Sequence, residues 1–318
     1  MKILIGYDGS PSADGALADL AKAGLPPIDV QACVLVAIAP ILSPQPNGPD
    51  SESLAWYPGA SEARAVLISK AEADARDSGR KARDFLKDLF PGWNVKTEVG
   101  YDVPAHALLS KADAWKPNLI VLGSRGLTRL GKMLMGSTAE KVLHHAGCAV
   151  RIGRPPKAGR AAPLRILIGV DASRDSDAAL AEVTGREWPK KTEARLVAVM
   201  DFRLNLDEVF TALDKAGSRK GALGGQWPWM KRKLEQAAAK LAKKGVKTSI
   251  AILPGEPRRV LLEEAKAMPA DCIFLGSKGL SGLQRFLVGS VSSAVAAHAG
   301  CSVEVIRPPR KREVRKRR

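Results

Sequence analysis

The sequence predicts an α/β protein built as two tandem domains, each with a parallel sheet covered by helices on both faces. Three observations carry this reading. Short apolar runs alternate with helical patterns along the chain, and strands apolar on both sides and separated by helices imply such a sheet. The chain also repeats itself: Met1–Asp8 (Met-Lys-Ile-Leu-Ile-Gly-Tyr-Asp) matches Leu164–Asp171 (Leu-Arg-Ile-Leu-Ile-Gly-Val-Asp). Finally, one glycine spacing falls twice. Gly123-Ser-Arg-Gly126 is followed after nine residues by Gly136-Ser137-Thr138, and Gly276-Ser-Lys-Gly279 after nine residues by Gly289-Ser290.

In the first half, apolar runs at Ile3–Tyr7, Val30–Ile38, Val95–Val99, Leu119–Leu122 and Ala149–Ile152 read as strands. Helical patterns fall between them at Ser12–Lys22, within Glu62–Leu89, at Pro104–Trp115 and at Ser137–Ala146. The second half repeats the strands near Arg165–Val170, Ala194–Met200, Val246–Leu253, Cys272–Leu275 and Val303–Ile306. Equivalent residues lie 163 positions apart at the front (171 − 8) and 153 at the back (289 − 136). The first half therefore holds ten extra residues, expected in the Pro-, Ser- and Gly-rich stretch Leu42–Ala60, which reads as a loop. The expected domains are residues 1–155 and 164–309. They are joined by a Pro-rich, semi-extended linker at 156–163 and followed by a basic tail at 310–318 expected to be disordered.

Each glycine ruler follows a short strand and precedes a helix. Glycine lets a backbone approach an anion closely, and the unpaired N–H groups of a helix start point toward it. The pattern reads as two phosphate cradles. On such sheets ligands bind at the carboxyl ends of strands, where the strand order reverses. Asp8 and Gly123, with their partners Asp171 and Gly276, fall at those ends.

The net charge is +17, of which the tail from Arg310 supplies +6 through seven basic residues and one acidic residue. No aromatic residue interleaves the tail's charges, so a solvated terminus is favoured over a dedicated nucleic-acid function. No apolar run approaches the roughly 18 residues of a membrane helix, and the N-terminal apolar stretch ends at Asp8, so a cytoplasmic protein is expected. Cys33, Cys148, Cys272 and Cys301 show no CxxC pairing and are expected to be small buried apolar residues.

A strand ending in Asp, then Gly-x2-Gly-x9-Gly-Ser before the last helix, resembles the universal stress protein family. The resemblance covers nearly the whole chain as a tandem pair. It implies Rossmann-like domains with five-stranded parallel sheets, and ATP or another adenine nucleotide as ligand. In the first half Gly6, Tyr7 and Asp8 would line the adenosine, with Asp8 near the ribose or a Mg²⁺, and Ile38 would touch the adenine. Leu122, Gly123, Gly126, Gly136, Ser137 and Thr138 would wrap ribose and phosphates. The second-half counterparts are Gly169, Val170, Asp171, Val199, Leu275, Gly276, Gly279, Gly289, Ser290 and Val291. Arg125 and Lys278, inside the glycine turns, would neutralise phosphate charge. The chain departs from the family pattern in three places: Ala37 and Ala198 stand where many members carry His, and Asn118 stands where Asp271 keeps the common acid. None of these removes a phosphate contact, so both halves are expected to bind.

Simpler readings compete with some of these. Asp8 and Asp171 could be helix N-caps. His145 and His298, near helix C-termini, fit a dipole interaction better than catalysis. Trp227 and Trp229 read as core residues under the preceding loop, with an exposed docking spot as the alternative. The family's domains pair antiparallel through their last strands. Arg151 and Glu304 occupy equivalent places there, so unlike charges would favour pairing one half with the other and bring the two close.

No GxxxxGK[ST] motif is present, and no Ser–His–Asp or Cys–His set can be assembled from matching positions. A non-catalytic nucleotide-binding stress or signalling module is therefore favoured. A slow Mg-dependent ATPase and a nucleic-acid-associated protein acting through the tail are the alternatives.

Overall fold

The computed structural model describes residues 1–38, 60–126, 135–156, 163–201, 226–279 and 288–308, with the backbone alone at 60–64 and 226–227. The Leu42–Ala60 loop (except Ala60, a helix start), most of the linker and the basic tail lie outside these residues. The chain divides into two compact units, mainly residues 1–146 with 150–160, and residues 161–299 with 303–318.

In the first unit the elements run β1 (Lys2–Gly6), α1 (Pro11–Asp19), β2 (Ile28–Ile38), α2 (Ala60–Leu89), β3 (Gly92–Tyr101), α3 (Pro104–Trp115), β4 (Leu119–Gly123), α4 (Ser137–His145) and β5 (Ala149–Gly153). The strand order is β3-β2-β1-β4-β5. β1 pairs in parallel with β2 and β4, and β2 with β3. The second unit repeats this with β6 (Arg165–Val170), α5 (Arg174–Gly185), β7 (Glu193–Met200), α6 (Gln226–Ala242), β8 (Lys247–Pro254), α7 (Pro257–Ala267), β9 (Cys272–Gly276), α8 (Ser290–His298) and β10 (Ser302–Ile306), in the order β10-β9-β6-β7-β8. β6 pairs in parallel with β7 and β9, and β7 with β8. The strand order reverses between β1 and β4, and between β6 and β9. Each reversal opens a crevice beyond the carboxyl ends of those strands.

The sequence reading places these strands closely, except that β3 is twice the predicted length. β3 follows the eleven-residue β2 through nearly its whole run, from Ile28↔Gly92 to Ile38↔Tyr101. A ladder partner supplies hydrogen bonds that local apolarity does not reveal. The central strands are dry on both faces: Ile3, Leu4, Ile5 and Leu119, Ile120, Val121 are buried, as are Ile166, Leu167, Ile168 and Cys272, Ile273, Phe274.

Asn118 and Asp271 prove interchangeable. Asn118 Oδ1 accepts the Lys2 N–H at 2.7 Å, and Asp271 Oδ2 the Arg165 N–H at 2.9 Å. Both tie the start of the central strand to its neighbour, for which an amide oxygen serves as well as a carboxylate.

Trp229 departs from the core reading, being 45% exposed. The buried stripe of α6 is Met230, Leu234, Ala237 and Leu241, at helical spacing. Trp229 falls about 100° off that stripe, and the Lys233 ammonium lies 5.0 Å from its ring centroid. The side chain of Trp227 lies outside the described residues.

Cys33, Cys272 and Cys301 are buried as expected, whereas Cys148 is half-buried. Burial, with Glu98 nearby, pushes the Cys33 thiol up to about 12. Cys33 is therefore expected to resist alkylation near pH 8 in the folded protein and to react fully in urea, as peptide mass spectrometry would show.

Arg151 and Glu304 are both wholly buried. Arg151 Nε meets Asp19 Oδ2 at 2.7 Å in the first unit. In the second, Glu304 accepts from Arg186, with Nη1 to Oε2 at 3.1 Å. The base lies on β5 and the acid on α1 in one half; the acid lies on β10 and the base just past α5 in the other. Each charge therefore has an opposite charge inside its own unit.

Among the described residues no helix is long and apolar enough to cross a membrane.

Candidate functional site

Each half builds the same corner from three pieces: the exit of its first strand, the glycine turn after its fourth strand, and the start of its last helix.

The strand exit comes first. Asp8 Oδ1 accepts the Ser10 N–H at 3.0 Å, and Asp171 Oδ1 the Ser173 N–H at 2.8 Å, each closing a two-residue turn. The helix caps are Ser10 and Ser173, whose hydroxyls accept from Ala13 N (3.2 Å) and Ser176 N (3.1 Å). Asp8 and Asp171 are thus not the N-caps. Their second oxygens are turned to the glycine loop. A Cβ added at Gly126 would lie 3.0 Å from Asp8 Oδ2, and one at Gly279 3.1 Å from Asp171 Oδ2. Glycine at these positions leaves room for the carboxylate.

The turn itself is pressed onto the first helix. A Cβ at Gly123 would come within 2.8 Å of the Ser12 carbonyl, and one at Gly276 within 2.5 Å of the Asp175 backbone. The turn closes when Gly136 N donates to Ser124 O (2.8 Å) and Gly289 N to Ser277 O (2.7 Å). The residues between, 127–134 and 280–287, lie outside the described chain.

The last helices start without a side-chain cap at Gly136 or Gly289. The first intrahelical bonds are Glu140 N to Gly136 O and Ser293 N to Gly289 O. The amides of Ser137, Thr138 and Ala139, and of Ser290, Val291 and Ser292, lie ahead of those bonds and have no intrahelical acceptor. The positive end of the helix dipole falls on the same spot. An anion set there would meet backbone donors in both halves.

Other predicted site residues sit differently. Gly6 and Gly169 make room for packing, since a Cβ there would meet Leu122 or Leu275 at 2.4 Å. Leu122 and Leu275 are themselves buried, as are Ile38 and Val170. Ile38 and Val199 occupy the carboxyl ends of β2 and β7, one strand from the cradle. Tyr7 turns its hydroxyl onto the Asp14 carboxylate at 2.5 Å. Burial first, then Asp14 and Asp8, pushes that hydroxyl above its ordinary range. His298 Nδ1 lies 2.8 Å from the Ala294 carbonyl in the last turn of α8, at the far end from the cradle.

Some contributors were not singled out in the sequence. Arg125 N donates to Ser12 Oγ at 3.1 Å. At the equivalent place Lys278 N donates to Asp175 Oδ2 at 3.1 Å, and the Ser277 hydroxyl also donates to that oxygen. Lys233, on α6, reaches the Asp171 carbonyl at 3.3 Å and is ion-paired with Asp177. The 163-residue offset equates Ser12 with Asp175, so the repeat held that signal; Lys233 comes from a remote helix and left none.

Among the described residues no group of three or more His, Cys, Asp or Glu could hold a metal ion.

The model of the universal stress protein family matches residues 1–153 and 164–307. The chain is similar to a universal stress protein of Mycolicibacterium smegmatis, 28% identical across 96% of this chain and 97% of the relative. It is also similar to universal stress protein Rv2005c of Mycobacterium tuberculosis, 27% identical across 67% of this chain and 69% of the relative. The crystal structure of a universal stress protein from Archaeoglobus fulgidus shares the fold at TM-score 0.60 and 20% identity, covering 96% of each chain. With the family's model matched by both halves, over nearly every residue of the repeat, the chain belongs to the universal stress protein family.

Proposed function

We propose that this protein binds adenine nucleotides at both corners and acts as a non-catalytic stress-response or signalling module in the cytoplasm. The carrying observation is the uncapped start of α4 and α8, set against a glycine turn and a single carboxylate, and built the same way twice. Gly126, Gly136, Ser137 and Thr138 would hold the phosphates of the first site, as Gly279, Gly289, Ser290 and Val291 would those of the second. Asp8 and Asp171 would face the ribose. Ile38 and Val199 would lie toward the base.

The residues fit a nucleotide better than they fit a metal by itself. One carboxylate per corner offers Mg²⁺ a single anchor, so most of its ligands would be phosphate oxygens and water. Phosphoryl transfer needs a placed nucleophile and metal stabilisation of the transferring group. The corner supplies amide donors and one acid, which suits retention over turnover.

The test is the mass of any nucleotide that co-purifies with the untreated protein, followed by calorimetry with ATP, ADP, AMP and cyclic nucleotides. Binding of at least one adenine nucleotide is expected, with no steady-state phosphate release from ATP. Calorimetry silent for every adenine compound would overturn the proposal. Phosphate release abolished by Asp8→Ala with Asp171→Ala, at preserved affinity, would replace it with a slow ATPase.

A further inference from the structure

The two cradles match in backbone and differ in the group that holds one amide of the glycine turn. In the first, the amide inside the glycine turn is held by a neutral hydroxyl: Arg125 N donates to Ser12 Oγ at 3.1 Å, and Ser12 Oγ lies 3.5 Å from Ser124 Oγ. In the second, the same amide is held by a carboxylate, with Lys278 N donating to Asp175 Oδ2 at 3.1 Å and the Ser277 hydroxyl completing the contact. Asp175 Oδ2 is thus fixed on the turn that faces the start of α8. A Cβ at Gly289 would lie 3.4 Å from Ser277 O, 3.6 Å from Lys278 Cα and 3.6 Å from Gly279 N, so the held amide belongs to the wall of the cradle itself.

Other charges at the two corners correspond in part. Each turn carries one cation, Arg125 or Lys278, and each strand exit one acid, Asp8 or Asp171. Asp14 and Asp177 are equivalent, the first bonded to Tyr7 and the second ion-paired with Lys233. The first half has Glu140 in the first turn of its last helix where the second has Ser293, and the second half has Arg174 where the first has Pro11 and, on α6, Lys233. Lys233 is engaged by Asp177 and the Asp171 carbonyl.

We propose that Asp175 makes the two sites unequal: the first takes nucleoside di- or triphosphates, while the second discriminates against phosphate charge and favours less phosphorylated adenine compounds. This rests on the nucleotide-binding reading above. A carboxylate held several ångströms from a phosphate repels it, and the penalty grows with each phosphate charge. Near a protein surface one such pair amounts to about a tenfold loss of affinity. Adenosine carries no phosphate and is indifferent to Asp175.

The test is calorimetry of the full chain at low salt with ATP and with adenosine. It compares the unaltered protein with Asp175→Asn, which keeps an acceptor for the Lys278 amide and removes the charge, and with Ser12→Asp. A thermal melt confirms that each variant folds. The unaltered protein is expected to show one tight ATP site and one about tenfold weaker or more. Asp175→Asn should bring the weak site close to the tight one, and Ser12→Asp should weaken the tight one. Neither should move adenosine binding. Two equal ATP sites in the unaltered protein, or Asp175→Asn shifting adenosine as much as ATP, would overturn the inference and leave nucleotide binding standing. Silence toward ATP and adenosine in all three proteins would overturn both.

Discussion

Asp19→Ala is expected to destabilise the first unit by up to about 3–5 kcal/mol, because it takes a carboxylate away from a buried guanidinium. Asp19 is 2% exposed and Arg151 wholly buried, with 2.7 Å between Nε and Oδ2. Two ions taken out of water lose several kcal/mol of hydration each, and their mutual attraction returns that only while both are present. Removing one takes that attraction away while the other stays buried. Replacing both, as Asp19→Leu with Arg151→Met, is expected to restore stability to near the starting value, since apolar groups of similar volume need no partner. Urea unfolding followed in the first half distinguishes these outcomes. A single variant as stable as the parent would show that the pair carries no energetic weight. The inverted pair offers an internal replicate: Glu304→Ala should destabilise the second unit similarly, since Glu304 is wholly buried and Arg186 only 7% exposed. Arg186 also holds Glu182, with Nη2 to Oε1 at 3.1 Å, and its guanidinium lies 5.4 Å from the Phe274 ring centroid. Those contacts of Arg186 remain after the loss of Glu304.

Gly276→Ala is expected to be the most damaging single methyl group at either cradle. Its Cβ would fall 2.5 Å from the Asp175 carbonyl carbon and 2.6 Å from Ser176 N. Both are backbone atoms in the first turn of α5, so the helix itself must move. Overpacking of this kind costs about 1–3 kcal/mol. The displacement would also break the contact between Asp175 and the Lys278 amide and so loosen the corner. Gly169→Ala makes the control. Its Cβ would meet Leu275 at 2.4 Å, a comparable overlap, but against the end of a side chain that can rotate away. Thermal melts should therefore rank Gly276→Ala below Gly169→Ala, and on the proposed function nucleotide affinity should fall in the same order. Equal losses would mean that the helix start yields as easily as a leucine methyl. Gly123→Ala, opposite the Ser12 backbone at 2.8 Å, should behave like Gly276→Ala in the first half.

The sequence carried the architecture and the glycine turns because both are local. Alternation of apolar runs and helical patterns is a property of neighbouring residues, and so is a glycine at fixed distance from a helix start. The doubled ruler added redundancy, since two copies of one spacing are hard to produce without a shared backbone shape. Asp8 was placed at the right corner, but its role was not legible. Two acceptor groups, Asp8 and Ser10, stand before one helix, and sequence cannot decide which of them caps it. Tertiary structure decided by turning one Asp8 oxygen back to Ser10 and the other to Gly126.

Long-range partners were decided by the fold alone. That Asp19 meets Arg151 across 132 residues, or that Lys233 reaches Asp171 from another helix, depends on how elements stack and not on any local pattern. Trp229 shows the limit in the other direction. It read as a core residue under the preceding loop, yet a rotation of one position on α6 left it outside the apolar stripe. Periodicity marks which stripe is buried once the helix register is known, and packing against the sheet sets that register. The chain thus wrote its strands, helices and glycine turns into the order of its residues. Which charges neutralise one another, and which wall of each cradle carries a carboxylate, was left to three-dimensional proximity, because Coulomb interactions act through space and not along the chain.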